Sequence, residues 1–235
     1  MEDLRYSILY EFRLEGGQNK FFNIVLNTET ISVVHPELKN KPKWTRLEYK
    51  QCQCCPLNKT EHPHCPIALN LSEIVHEFKG MNSSDTCVVR CTTPERTYLK
   101  KTLIMEGLSS IFGIIMATSD CPVMDFLKPM ARFHLPFSTV EETMVRSTSM
   151  FLLRQYFEHK VDKCAYIDFT SLEKNYVKVH MINEGLLRRI NNVIKEDADK
   201  NAILTLHSLG KLLSIEIDYD LDSIKNLFTS GLNNK

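Results

Sequence analysis

Neither sign of charge is in excess: 29 lysines and arginines stand against 29 aspartates and glutamates. A balanced chain has no global field to gather nucleic acid or an anionic membrane surface, so neither is an expected partner. Gly-rich phosphate loops, catalytic triad patterns, internal repeats and low-complexity tracts are all missing. So are long apolar runs. The most apolar window, LIMEGLSSIFGIIMATS (103–119), is interrupted by Glu106, two glycines and several serines. It is too short to span a bilayer and reads as a buried helix. The opening MEDLRYSILYEF places acidic residues early, with no apolar core ahead of a small-residue cleavage site, so no secretory signal is expected. A cytoplasmic location is the resulting expectation. In a reducing compartment, eight cysteines point to metal ligation, catalysis or burial ahead of disulfides.

What is present is ordinary globular composition, 43% apolar and 25% charged over 235 residues, enough to bury a substantial core. RYSILYEFRL and FFNIVLNTETISVV are strand-like runs, with EGGQNK between them supplying hairpin glycines. The basic, proline-containing HPELKNKPKW reads as a loop and TRLEYKQ as a short strand. IALNLSEIVHEFKG carries Leu69, Ile74, Val75 and Phe78 at helical spacing and stops at Gly80. TCVVRCTTPERTYLKKTLI alternates as two strands about Thr93–Glu95. From residue 103 the character is helical. SDCPVMDFLKPMARF is expected to start on Ser119 and Asp120 with Pro122 in its first turn. STVEETMVRSTSMFLLRQYFEHK opens on a capping-box pattern, with Val145, Met150, Leu153 and Phe157 as its apolar stripe. SLEKNYVKVHMINEGLLRRINNVI places Tyr176, Val179, Leu186, Ile190 and Val193 on one face; NAILTLHSLGKLL and LDSIKNLF complete the set. The fold class is α+β: an N-terminal antiparallel sheet with a cysteine-rich metal loop, followed by a C-terminal helical bundle. A β-rich part, 1–102, and a helical part, 103–235, are expected to pack as one unit.

The chemistry concentrates in QCQCCPLNKTEHPHCP (51–66). Cys52 and Cys55 form a C-x2-C knuckle, whose spacing lets two thiolates from one turn reach the same ion. Cys65 follows after nine intervening residues, with His62 and His64 just before it. Zinc takes four ligands in a tetrahedron and favours thiolate and imidazole donors. Cys54, next to Cys55, is a spectator, because adjacent side chains rarely serve one tetrahedral ion. The fourth ligand is a choice between His62 or His64 and the distant Cys121, which shares with Cys55 and Cys65 a following proline. Cys121 is preferred: a cysteine at a helix start gains from free amides and the helix dipole, and the loop has too few apolar residues to stand alone. The predicted metal set is Cys52, Cys55, Cys65 and Cys121. Zinc is the expected occupant and a [4Fe–4S] cluster its rival, since four cysteines hold either. Cys87, Cys91 and Cys164 read as structural.

The runs WTRLEYKQCQCCPL, EHPHCPIALNL, ERTYLKKT, GLSSIFGIIMATSDCP and PMARFHLPF resemble an uncharacterised bacterial protein family, a domain of unknown function, over most of the chain. The resemblance implies a pattern falling on Cys52, Cys55, His62, Cys65, Cys121 and His134, with Cys54 outside it. It implies no activity.

Three functions compete on these residues. One is a metal-stapled protein acting through a protein or small-molecule partner; the second is a redox or metal sensor. The third is an enzyme with Cys121 as nucleophile, His134 of RFHLP as base, and Arg132 or Arg146 binding an anion. One local basic cluster, Lys39, Lys41, Lys43, Arg46 and Lys50 around Trp44, could hold a single strand but reads more simply as a solvated loop.

Overall fold

A computed structural model of the chain describes residues 4–34, 41–161, 168–193 and 197–230. The α+β reading holds: a four-stranded antiparallel sheet is followed by a mostly helical half. The sheet runs β2-β1-β3-β4, with β1 Arg5–Leu14, β2 Asn19–Asn27, β3 Thr86–Thr92 and β4 Thr97–Leu103. Period-two alternation drives it. Tyr6, Ile8, Tyr10 and Phe12 of β1, with Phe22, Ile24 and Leu26 of β2 and Cys87, Val89 and Cys91 of β3, face inward and are buried. Gly16 and Gly17 close the first hairpin at φ +94 and +84, a region in which only glycine is unstrained. The opposite sheet face keeps Glu11 paired to Arg13 at 2.7 Å and to Arg90 at 3.6 Å.

Helix α1, Pro66–Glu77, lays Leu71, Ile74 and Val75 on the inner face, and Phe78 just beyond it meets Phe12 edge-on with ring centroids 5.0 Å apart. Helix α2, Ile104–Thr118, is buried almost all round. On one side its Gly107 meets the sheet; on the other, Ser109 donates to the Ala202 carbonyl at 2.9 Å. That carbonyl belongs to α6, Ala198–Asp218, which packs beside α5, Thr170–Ile190. Short α3, Lys128–Arg132, long α4, Val140–Val161, and α7, Lys225–Thr229, complete the described helices. One cluster of buried side chains runs from Tyr6 in the sheet to Ile224 near the last helix. Among the described residues no helix is long and apolar enough to cross a membrane.

Five local expectations differ from the structure. FFNIVLNTETISVV is not one strand: the Asn27 side chain accepts from the amides of Glu29 and Thr30, both at 2.9 Å, turning the chain so that Val33 bridges back to Leu26. TRLEYKQ is not a strand but a short 3-10 turn, Lys43–Thr45, followed by further turns, because its carbonyls are taken by an arginine from α5. SDCPVMDFLKPMARF is not a helix from its start. Asp120 sits at φ +55, a turn follows, and Asp125–Leu127 is 3-10 before α3 begins. Pro129, lacking an amide and crowding the carbonyl four residues back, suits the first turn of a helix and not its middle. On α4 the capping box is present, Thr139 and Glu142 exchanging bonds of 2.8 and 3.1 Å. Its buried stripe, however, is Met144, Ser147, Phe151 and Gln155, leaving Leu153 and Phe157 more than half exposed. Hydroxyls on the inner face misled the period count. Val193 lies past the end of α5 and is exposed.

The α2–sheet contact makes a sharp test. A Cβ at Gly107 would lie 2.6 Å from Phe12 Cε1 and 2.8 Å from Val89 Cγ2, both fixed in the core; at Gly113 the nearest atom is 3.8 Å away. Gly107→Ala should lose about 1–3 kcal/mol to overpacking, whereas Gly113→Ala should gain up to about 1 kcal/mol in helix propensity. Urea unfolding midpoints check the opposite signs.

Candidate metal centre

The 51–66 segment is positioned by backbone first. The Cys55 amide donates to the Cys52 carbonyl at 3.1 Å, closing the C-x2-C turn, and the Cys65 amide donates to the Thr45 carbonyl at 2.8 Å. Cys65 is the N-cap of α1, with Pro66 in the first turn. Cys121 arrives from the far side, just after α2, on a turn in which the Met124 amide donates to its carbonyl at 2.9 Å.

These elements bring Cys52, Cys55, Cys65 and Cys121 to one small cavity of about 20 Å3, walled also by Leu57, Ile67, Val123, Ile182, Leu186 and Arg189. Among the described residues no group of three or more His, Cys, Asp or Glu side chains is arranged to hold a metal ion as it stands. The sulfurs share a cavity without converging on one point. Burial pushes the Cys52 thiol up to about 12, the neighbouring Cys65 adding to the rise and Arg189 opposing it. Burial likewise raises Cys121 to about 12, against the amides of Val123 and Met124, and raises Cys65 against Arg189 and the amides of Ala68 and Ile67. Amides and a cation thus already face the sulfurs from outside, as they would face anions.

The histidine alternatives lie elsewhere. His62 is exposed, and His64 Nδ1 is 2.8 Å from the Thr45 hydroxyl. Cys54 turns away, its thiol 3.6 Å from the Lys178 carbonyl on α5. Cys87 and Cys91 are buried on β3; Cys164 lies outside the described residues. Trp44 is buried and offers no stacking platform, although Lys41, Lys43, Arg46 and Lys50 around it are exposed; Lys39 lies outside the described residues.

Two residues at this site escaped the sequence reading. Arg189 on α5 is 1% exposed. Its Nη1 donates to the carbonyls of Trp44 and Arg46 at 2.9 and 2.7 Å, and its Nη2 to that of Leu47 at 2.8 Å. Its Nε has no partner, and among the described residues no carboxylate pairs with it. Gly185, one turn earlier, is where Cys52 nests: a Cβ there would lie 2.5 Å from the Cys52 sulfur. A glycine inside an otherwise regular helical pattern was the available signal.

Cys121 and His134 are not brought together. His134 lines a second, larger cavity of about 410 Å3, as does Arg146. Its Nε2 is 2.5 Å from the Tyr10 hydroxyl, and burial, helped by Arg146, pushes its pKa down to about 3. Arg132 lies over the Tyr6 ring, 3.9 Å from its centroid.

A mixed α+β molecule with a four-cysteine cavity between its loop and helical layers is the class these features define. The chain belongs to the family described as domain of unknown function DUF6901, whose model matches residues 8–229. No curated protein and no solved structure matches it.

His134 supplies a pH test. An unfolded histidine titrates near pH 6.5, while the folded one stays neutral to about 3. Its contribution to stability is therefore complete above pH 6.5 and drains away as pH falls toward 3. Between pH 7 and 5 the parent should lose about 1–2 kcal/mol more than His134→Gln, allowing for the partial exposure of the ring. Denaturant titrations at the two pH values measure the difference; equal losses would contradict a neutral buried imidazole.

Proposed function

We propose that this is a cytoplasmic metal-binding protein in which one zinc ion is held by Cys52, Cys55, Cys65 and Cys121. The ion is structural, and the protein acts in a regulatory or interaction role. The observation that carries this reading is that four sulfurs and a buried guanidinium, which no carboxylate among the described residues pairs, line the same cavity. A buried, uncompensated cation is expensive. Four thiolates around a divalent ion leave the site negative, which is the charge Arg189 lacks. Four neutral thiols have no attraction drawing them together; an ion supplies it, and sulfur donors suit zinc.

A cavity of about 20 Å3 exceeds the roughly 10–15 Å3 needed for one water-sized occupant, which supports a single ion. A [4Fe–4S] cluster on the same four cysteines is the rival occupant, and a redox sensor the rival reading. The cysteine-enzyme reading loses its pair, because Cys121 and His134 line different cavities.

Native mass spectrometry of chain purified without chelator, compared with its denatured mass, should give one zinc per chain. Cys65→Ser and Cys121→Ser should each lose it and melt about 10 °C lower or more, since binding and folding are coupled. His62→Ala should keep it. A parent without metal, or a Cys121→Ser variant that retains it, overturns the assignment.

A further inference from the structure

The larger cavity takes no part in the cysteine site, and its walls are specific. We propose that it binds an apolar carboxylic acid, the carboxylate on Arg146 and the hydrocarbon body between α2, α5 and α6. Its volume of about 410 Å3 lies inside the roughly 300–1,000 Å3 range of small-molecule sites. Ile114, Met116, Ala117, Leu127, Leu209 and Leu213 give it a mostly apolar surface.

The polar groups on that surface decide the head group. Arg146 is held at the wall by two bonds from its Nη2, to the carbonyls of Met130 and Phe133 at 2.9 and 2.7 Å. Those bonds fix the guanidinium and leave Nε and Nη1 to donate elsewhere. Among the described residues Arg146 has no ion pair; the nearby Glu142 is engaged in the capping box of α4. Asn183, 1% exposed, also lines the cavity, and its Oδ1 has no partner. That oxygen is an acceptor, and a carboxylate only accepts, so it takes a donor from elsewhere on the ligand and does not itself select the anion. The other charges on the wall, Lys100 and Glu106, lie 3.6 Å apart and largely cancel. The cavity therefore presents one cation that no direct ion pair among the described residues engages, with Glu142 acting on it only through space. A cationic ligand would be repelled, a neutral alcohol would leave Arg146 unpaired, and a dianionic phosphate would need more donors than Nε and Nη1. A monoanionic carboxylate matches.

Isothermal titration calorimetry on the full chain at neutral pH, with decanoate and decanol below their aggregation limits, tests this. Decanoate should bind one per chain and at least 10-fold tighter than decanol. Arg146→Gln should abolish that preference while keeping decanol binding, and Leu209→Trp, which fills the cavity, should weaken both ligands at least 10-fold. The proposal is overturned if the parent binds neither ligand, or binds decanol as tightly as decanoate. It is also overturned if the preference survives in Arg146→Gln or Leu209→Trp binds like the parent. Should Arg146→Gln fail to fold, the parent's preference and Leu209→Trp decide between these outcomes.

Discussion

The guanidinium of Arg189 is the contact on which the centre of this molecule depends. Three backbone carbonyls, of Trp44, Arg46 and Leu47, converge on it from a segment that forms neither helix nor strand beyond a single 3-10 turn. Without it the carbonyls of buried Trp44 and Leu47 would need another donor, and that of Arg46 would keep only the Tyr49 amide at 3.1 Å. Each charge-assisted bond contributes about 1.5–3 kcal/mol, comparable to the burial of Leu47 or Trp44 beside it. Arg189 thus fixes where the cysteine loop begins, and Thr45, buried beside Trp44, then receives the Cys65 amide.

The same group sets the electrostatics of the small cavity. A cation 1% exposed and without a carboxylate among the described residues is unstable alone. In the metal reading it faces an anionic shell, aided by the amides of Ile67 and Ala68 at Cys65 and of Val123 and Met124 at Cys121. The two cavities share walls. The turn after Cys121 gives Val123 to one and Met124 to the other, and α5 gives Ile182 and Leu186 to one and Val179 and Asn183 to the other. The two sites are therefore coupled through one turn and one helix.

Much of this was legible from local pattern. The first hairpin, the β3–β4 pair, the buried α2 and the capping box of α4 are all written in periods and turn residues that act over a few positions. The proposed cysteine set came from chemical spacing, and the structure lines one cavity with Cys52, Cys55, Cys65 and Cys121, though Cys121 does not sit at a helix start. Cys121 sits before a turn, and it is Cys65 that caps a helix. What sequence could not yield depends on distant partners. Nothing in LLRRI distinguishes Arg189 from its neighbour until three carbonyls from residues 44–47 are seen around it. Leu153 and Phe157 look like a core stripe until serine and threonine prove to occupy the inner face of α4. The large cavity gave no local signal as a cavity, although RFHLP and Arg146 line it, because it is the space left where α2, α5 and α6 meet the 124–139 segment.

The central claim is that four sulfurs, drawn from a loop and from a turn more than fifty residues away in sequence, close on one ion in front of Arg189. Zinc K-edge X-ray absorption on the freshly purified chain addresses it most directly. Four sulfurs at about 2.3 Å is the predicted first coordination sphere. A sphere fitted by three sulfurs and one nitrogen, or by nitrogen and oxygen alone, would contradict it.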